Sequence, residues 1–296
     1  MNMVGSSTKP AGPIPIRLIT LNIRYAAKRL APGEEPWAIR CPKLCAQLNF
    51  ITSGHASVFV CLQEVLPSQL LDIQARLGPS WSHIGHGRES GQNAGEHCPV
   101  FFRTAQWGCE RSRTYWLSPT PEVPSRGWDA ALNRIVTMGS FRHRATGTAV
   151  IIMSTHLDYA GEMAREQSAH ILLKLARDWT NGGEGAATVP LFLGGDFNST
   201  PNSRAYRTIT MPGSGMKDVS ELVPDDMKYG NRTITYTSFG EPGEKPNKID
   251  YLFVQDPQNV SFLTYGILAN RFDDGVYLSD HRAVVADIEI PAKADN

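Results

Sequence analysis

The sequence predicts an α/β sandwich in which helices cover β-sheets. Three observations carry that expectation. Short apolar runs rich in Val, Ile, Leu and Phe recur from one end of the chain to the other. Each run is bounded by Gly, Pro, Ser, Asn or Asp, the residues that stop strands and make turns. Between them lie only a few stretches with apolar residues at helical spacing.

The predicted strands are residues 16–22, 58–63, 99–102, 135–142, 149–156, 189–194, 249–254 and 282–290. Arg144 to Thr148 reads as the turn of a hairpin between the fourth and fifth of them. The clearest helix is 162–180, where Ala169, Leu172, Leu173, Ala176 and Trp179 share one face. Shorter helices are expected over 42–51, 67–77 and 203–209, the first two opening on a proline. The segments 26–37, 85–97, 118–133 and 211–232 are long for connectors, and long loops in compact domains commonly recognise ligand. Residues 1–15 are small, polar and rich in Pro and Gly. They read as a flexible lead-in to one domain spanning 16–292.

Composition narrows the class. Hydrophobic residues make up 41% and charged residues 20%, which excludes a disordered chain. Lys plus Arg and Asp plus Glu are both 29, so the formal charge is zero. A non-specific nucleic-acid binder draws most of its affinity from basic residues at phosphates, so a long polyanion is the less favoured partner. The five cysteines, Cys41, Cys45, Cys61, Cys98 and Cys109, lack zinc-type pairing and read as reduced, packed thiols. No apolar stretch approaches the roughly 20 residues a membrane span needs, and no signal-peptide core precedes the first strand. A cytoplasmic monomer without a membrane anchor is expected.

The chemistry-bearing residues cluster at the ends of the predicted strands. Asn22 ends the first, Gln63-Glu64 the second, and Thr155-His156-Leu157-Asp158 the fifth. Gly194-Gly195-Asp196-Phe197-Asn198 follows, Ile249-Asp250 opens a strand, and Ser279-Asp280-His281 precedes the last. Taken alone, each has a plainer reading: Asp158 as a helix cap, Gly-Asp-Phe-Asn as a turn, Ser-Asp-His as a local side-chain turn. Brought to one rim, they form an oxygen-rich set suited to a hard cation. Asn22, Glu64 and Asp280 are the expected metal-binding residues, for Mg²⁺ or alternatively Mn²⁺. Asp196, Asn198 and His156 suit the remaining needs of phosphoester hydrolysis: positioning a water, donating to phosphoryl oxygens and helping the leaving oxygen.

The ordered strings TLNIRY (20–25), LQE (62–64), GEHCPVFFR (95–103), STHLD (154–158), GGDFN (194–198), KIDYLFV (248–254) and LSDH (278–281) resemble the endonuclease/exonuclease/phosphatase superfamily. A closer likeness is to a branch in which NIRY is followed by a W-x-x-R element, here Trp37 to Arg40, and later by a segment like 114–137. The resemblance implies a four-layer sandwich of two mostly antiparallel sheets with helices outside and the active site at one rim. It implies Asn22, Glu64 and Asp280 around the metal, Asp196 on the attacking water, and Asn198 on the phosphoryl group. It further implies His156 aligned by a carboxylate, placed at Glu96, and His281 on the scissile phosphate, paired with Asp250.

Substrate contacts are expected from the long loops. Arg88, Arg126 and Arg134 are candidates to grip phosphate, and Trp128, with Trp37 and Trp116, to form an apolar or stacking wall. The expected activity is metal-dependent phosphodiester or phosphomonoester hydrolysis of a small or medium phosphorylated substrate. A DNA or RNA nuclease is the runner-up, and a non-catalytic binding protein on the same fold ranks below both. A Ser-based hydrolase is disfavoured because no G-x-S-x-G element is present.

Overall fold

The computed structural model describes residues 12–181 and 189–293. The expected lead-in therefore falls mostly outside the described residues. Within them the first strand already begins at Ile14, paired with Ile290.

The strands are β1 (Ile14–Asn22), β2 (Val58–Gln63), β3 (Trp81–Ile84), β4 (Val100–Arg103), β5 (Trp107–Trp116), β6 (Ile135–His143), β7 (Ala149–His156), β8 (Leu191–Asp196), β9 (Met216–Asp218), β10 (Lys228–Gly230), β11 (Asp250–Gln255), β12 (Ser261–Ile267) and β13 (Val284–Ile290). The helices are α1 (Trp37–Thr52), α2 (Pro67–Leu77), α3 (Glu162–Thr180), α4 (Arg204–Thr210) and the single turn α5 (Val219–Leu222). One sheet has seven strands in the order β10-β12-β13-β1-β2-β4-β3, the other six in the order β5-β6-β7-β8-β11-β9. The pairings β1–β2, β7–β8 and β10–β12 are parallel and the others antiparallel.

Three apolar layers separate the four structural layers. Ile16, Leu18, Phe59, Cys61, Ile152, Phe192, Leu252 and Val284 fill the space between the sheets. Ile19, Leu21, Val58, Val60 and Leu62 face the other way, onto Leu44, Leu48 and Ile73 of α1 and α2. Leu191, Leu193 and Phe253 meet Leu172, Leu173 and Ala176 of α3 on the opposite side. The central strands are therefore apolar on both faces, because each face meets a different layer.

That alternation positions the site. Along β1 the inward residues are Ile16, Leu18, Thr20 and then Asn22; along β8 they are Phe192, Gly194 and then Asp196. The same parity aims His156 of β7 and Asp250 of β11 into the seam between the sheets. The register pairs Asp250 with Asp196 and His156 with Asp196, bringing those strand ends level.

The two glycines before Asp196 are needed for close approach. A Cβ on Gly195 would lie 2.4 Å from the Thr155 carbonyl oxygen, and one on Gly194 would lie 3.1 Å from Cys61 Cβ across the seam. Gly195→Ala must push β7 and β8 apart directly beside His156 and Asp196. It is expected to cost about 1–3 kcal/mol of stability and to lower activity, as checked by urea unfolding and turnover together.

The structure departs from expectation where the apolar pattern is weak. β5 runs through Glu110, Arg111 and Arg113 and is exposed along its middle, as suits a charged edge strand with a bulge between Cys109 and Arg111. β3 and β12 are half-exposed and were likewise not predicted. α1 starts at Trp37 and carries Pro42 inside it, so the proline does not mark its first turn. Segment 211–232 contains β9, α5 and β10 rather than a plain loop. Among the described residues no helix is long and apolar enough to cross a membrane.

Candidate active site

The polar strand ends form the floor of a cavity of about 850 Å³. Asn22 lies beneath them, fully buried, bonded to two of the lining carboxylates. Its Nδ2 donates to Glu64 Oε1 and to Asp196 Oδ2, each at 3.0 Å, while its Oδ1 accepts from the Arg24 backbone N–H at 2.9 Å. Asn22 thus presents nitrogen to both carboxylates and acts here as their organiser. Glu64 follows β2 with a left-handed backbone, φ 60°, which turns its side chain out of the strand alternation and beside Asn22. Its other oxygen accepts from the Tyr25 N–H at 3.0 Å. Asp280 sits nearby, oriented by the Ser279 hydroxyl, and its pKa is raised by burial and by the Glu64 charge, against the pull of His281.

Asp196 Oδ1 accepts from the Asn198 N–H at 2.8 Å, and its Oδ2 lies 3.4 Å from His156 Nε2 and 3.6 Å from His281 Nε2. Burial and the neighbouring Asp250 push its carboxyl up to about 7, although His281 and Asn22 oppose this. Burial works against charge on His281, but Asp250, Asp196 and Asp280 overcome it and hold its pKa well above the ordinary value. Its Nδ1 donates to Asp250 Oδ2 at 2.9 Å, the expected pairing. The other Asp250 oxygen is buried without a hydrogen-bond partner.

His156 behaves differently. Burial, Arg134, His281 and Arg88 all drive its pKa well below the ordinary value, which favours the neutral imidazole. Its Nε2 accepts from Asn198 Nδ2 at 3.0 Å, and the same amide also donates to the Leu157 carbonyl at 3.0 Å. The expected Glu96–His156 pair does not form. Glu96 is taken by Arg88, whose Nη1 donates to Glu96 Oε2 at 2.8 Å within a loop closed by the Arg88 N–H to Glu96 carbonyl bond. Burial and Glu64 push Glu96 up to about 7, with Arg88 and Arg134 opposing.

Of the expected substrate-binding residues, Arg88 and Arg134 line the cavity; Arg126 and Trp128 do not. Among the described residues Arg126 hydrogen-bonds only the Ala131 carbonyl, and Trp128 is exposed on the 118–133 loop. Trp116 is buried and donates to the Arg88 carbonyl, and Trp37 donates to Asp72, so both pack the frame around the site. Asp158 neither caps α3 nor lines the cavity. It accepts from the backbone N–H groups of Ala131, Ala160 and Gly161 and from Arg134 Nε, which pins the 118–133 loop to the end of β7. Burial would raise its pKa, but those donors and Arg134 hold it below the carboxylate range. The first turn of α3 is instead capped by Asp129, which accepts from Met163 and Ala164.

Sequence reasoning missed Arg24, Tyr25, Tyr159 and Tyr236, all of which line the cavity. Arg24 and Tyr25 stand inside the TLNIRY string and were legible as its polar end. The Tyr236 ring lies 5.1 Å from that of His281, tilted by 57°, and comes from a segment with no motif, so nothing local marked it.

The acidic residues suit a divalent cation by two observations. Glu64 and Asp280 are oxygen donors close enough for one charge to disfavour the other, and Asp196, Asp250 and His281 offer ligand atoms within 4.8 Å of one another. The second group is already bridged by the His281–Asp250 hydrogen bond, so Glu64 and Asp280 are the freer donors.

Residues 19–281 match the Endonuclease/Exonuclease/phosphatase family. A solved member from Bacteroides vulgatus is 34% identical, with 93% of this chain and 99% of that one covered at a TM-score of 0.80. A Bacteroides thetaiotaomicron mannosyl-6-phosphatase is 27% identical, covering 92% of this chain and 99% of its own at a TM-score of 0.79. Human Nocturnin is 24% identical over 95% of this chain and 67% of its own length. The chain belongs to the endonuclease/exonuclease/phosphatase family of phosphoester hydrolases.

Proposed function

We propose that the protein is a divalent-metal-dependent phosphoesterase acting on a small or medium phosphorylated molecule, by in-line attack of water on phosphorus. The observation that carries this reading is the meeting of Asn22, Glu64, His156, Asp196, Asn198, Asp280 and His281 under one cavity that also holds three arginines. Glu64 and Asp280 would hold the ion, Mg²⁺ or alternatively Mn²⁺, with Asn22 fixing Glu64. When bound, the ion supplies charge neutralisation for the phosphoryl oxygens and for the leaving oxygen.

The chain's own residues divide the remaining work. Asp196 is held at both oxygens by Asn198 and Asn22, so it presents a fixed carboxylate to orient the water and take its proton. His281, kept cationic by Asp250, donates from Nε2 to a phosphoryl oxygen. Asn198 spends its amide hydrogens on His156 and Leu157 in this state, and a phosphoryl oxygen replaces one of those acceptors. His156, being neutral, serves as a hydrogen-bonding partner rather than a fixed positive charge.

Zero net charge supports a compact substrate over a polymer. So does the pairing of each cavity arginine: Arg24 with Glu34, Arg88 with Glu96 and Arg134 with Asp158. The phosphorylated-sugar relative points the same way. Nucleic-acid cleavage is the alternative, favoured by Tyr25, Tyr159 and Tyr236, whose rings on the cavity wall can stack on bases. The test is turnover of phosphomonoesters, phosphodiesters, RNA and plasmid DNA with Mg²⁺, Mn²⁺ or EDTA, for wild type and His281→Gln. The expected result is metal-dependent hydrolysis lowered about 10²–10⁴-fold in the variant, on small esters before polymers. Turnover indifferent to EDTA and to the substitution would overturn the mechanism.

A further inference from the structure

The W-x-x-R element explains a feature that hydrolysis itself leaves unused. Arg40 is fully buried at the start of α1. It donates from Nε to the Glu35 carbonyl, from Nη1 to the Ile23 and Leu278 carbonyls, and from Nη2 to the Arg24 carbonyl, all at 2.8–3.0 Å. It therefore ties the residues just after Asn22 to those just before Asp280. Glu34, whose side chain is also fully buried, lies 3.7 Å from Arg40 and accepts both Nε and Nη2 of Arg24 at 3.3 Å.

Two guanidiniums thus share one carboxylate, and Arg24 is the one of the two that lines the cavity. Arg24 takes a left-handed backbone, φ 57°, and its carbonyl is held by Arg40 and by Gln69. Among the described residues its Nη1 makes no hydrogen bond, and Glu34 is its only ion-pair partner within 4 Å. Glu64 and Asp280 are nearby, but among the described residues neither comes within 4 Å of the Arg24 guanidinium. Arg24 is consequently braced on one edge and free on the other. It also stands apart from the Arg88–Arg134 pair: those two act on His156, whereas Arg24 faces Glu64 and Asp280.

We propose that Arg24, positioned by Glu34 and Arg40, binds a second anionic group of the substrate, on the Glu64–Asp280 side of the scissile phosphate. This deepens the phosphoesterase reading and rests on it. The implied substrate class is a small molecule bearing two negatively charged groups, such as a bisphosphate or a phosphate with a carboxylate. Arg24 is the specificity-determining contact, and Glu34 is a positioning residue acting through it.

The experiment measures binding of orthophosphate, inorganic pyrophosphate and fructose 1,6-bisphosphate by calorimetry in excess Mg²⁺, for wild type, Arg24→Gln, Arg24→Lys and Glu34→Gln. Wild type is expected to bind at least one two-charge probe about 10- to 100-fold more tightly than orthophosphate, the margin of one added charge-assisted contact. Arg24→Gln removes that margin, Arg24→Lys restores part of it, and Glu34→Gln narrows it. In turnover, loss of Arg24 raises KM for a two-charge substrate more than it lowers kcat. A wild type without the margin, or a margin that survives Arg24→Gln, overturns the clamp. Wild type that binds with the margin yet hydrolyses no phosphoester retains the clamp and overturns the hydrolytic reading.

Discussion

Asp196→Asn is expected to lower turnover about 10²–10⁴-fold while leaving the fold intact and, in EDTA, raising its thermal stability. The activity loss follows from geometry. Asp196 is the carboxylate gripped by both Asn22 and Asn198 and lying beside both imidazoles, so it is the group able to hold a water in a fixed direction. The stability gain follows from burial. Burial and Asp250 push the Asp196 carboxyl from its ordinary range up to about 7. A carboxyl raised in the folded state favours folding while it is protonated, and that contribution is lost as pH rises through about 7. The amide avoids this cost and gives up only the hydrogen bond from Asn22 Nδ2, which keeps Glu64 as its acceptor. The stabilising effect of Asp196→Asn should therefore be full at pH 8 and shrink as pH falls from 7 towards 4. Melting scans at those pH values, with steady-state kinetics at pH 8, check both halves. An active variant, or one melting lower than wild type at pH 8, contradicts the assignment.

Arg40→Met is expected to cost about 3–5 kcal/mol, the usual penalty for removing one member of a buried charged network. Methionine matches the length of the arginine stem but offers no donor to the Ile23, Arg24, Glu35 and Leu278 carbonyls. It also leaves the buried Glu34 with Arg24 as its only cationic partner among the described residues. Urea unfolding measures the loss. Because Arg40 joins the backbone flanking Asn22 to the backbone flanking Asp280, residual folded protein should also bind Mg²⁺ more weakly. A variant within about 1 kcal/mol of wild type would show that the carbonyls find other donors.

The α/β sandwich and most of the site were legible because both rest on local pattern. Strand-length apolar runs with punctuating Gly, Pro and Asp identify buried strands without reference to neighbours. Each polar residue ending such a run has a plainer reading on its own; it was their ordered combination that picked out Asn22, Glu64, His156, Asp196, Asp250, Asp280 and His281, and the fold brings them together. The edge strands were not legible. β5 carries charge along its exposed middle, and its pairing with β6 comes from backbone hydrogen bonds that any side chains permit.

Partners and charge states were decided only by the tertiary structure. Asp250 meets His281 across 31 positions of chain, as expected, but Glu96 meets Arg88 rather than His156. Both carboxylates were visible in the sequence, and the closure of the 85–97 loop selected the second pairing. Likewise two histidines of one residue type are pushed in opposite directions: aspartates raise the pKa of His281, and burial and arginines lower that of His156. Side-chain alternation is a property of the strand and can be read along it. Which charges share a buried seam depends on register and loop closure, and these bring together residues that the sequence keeps far apart.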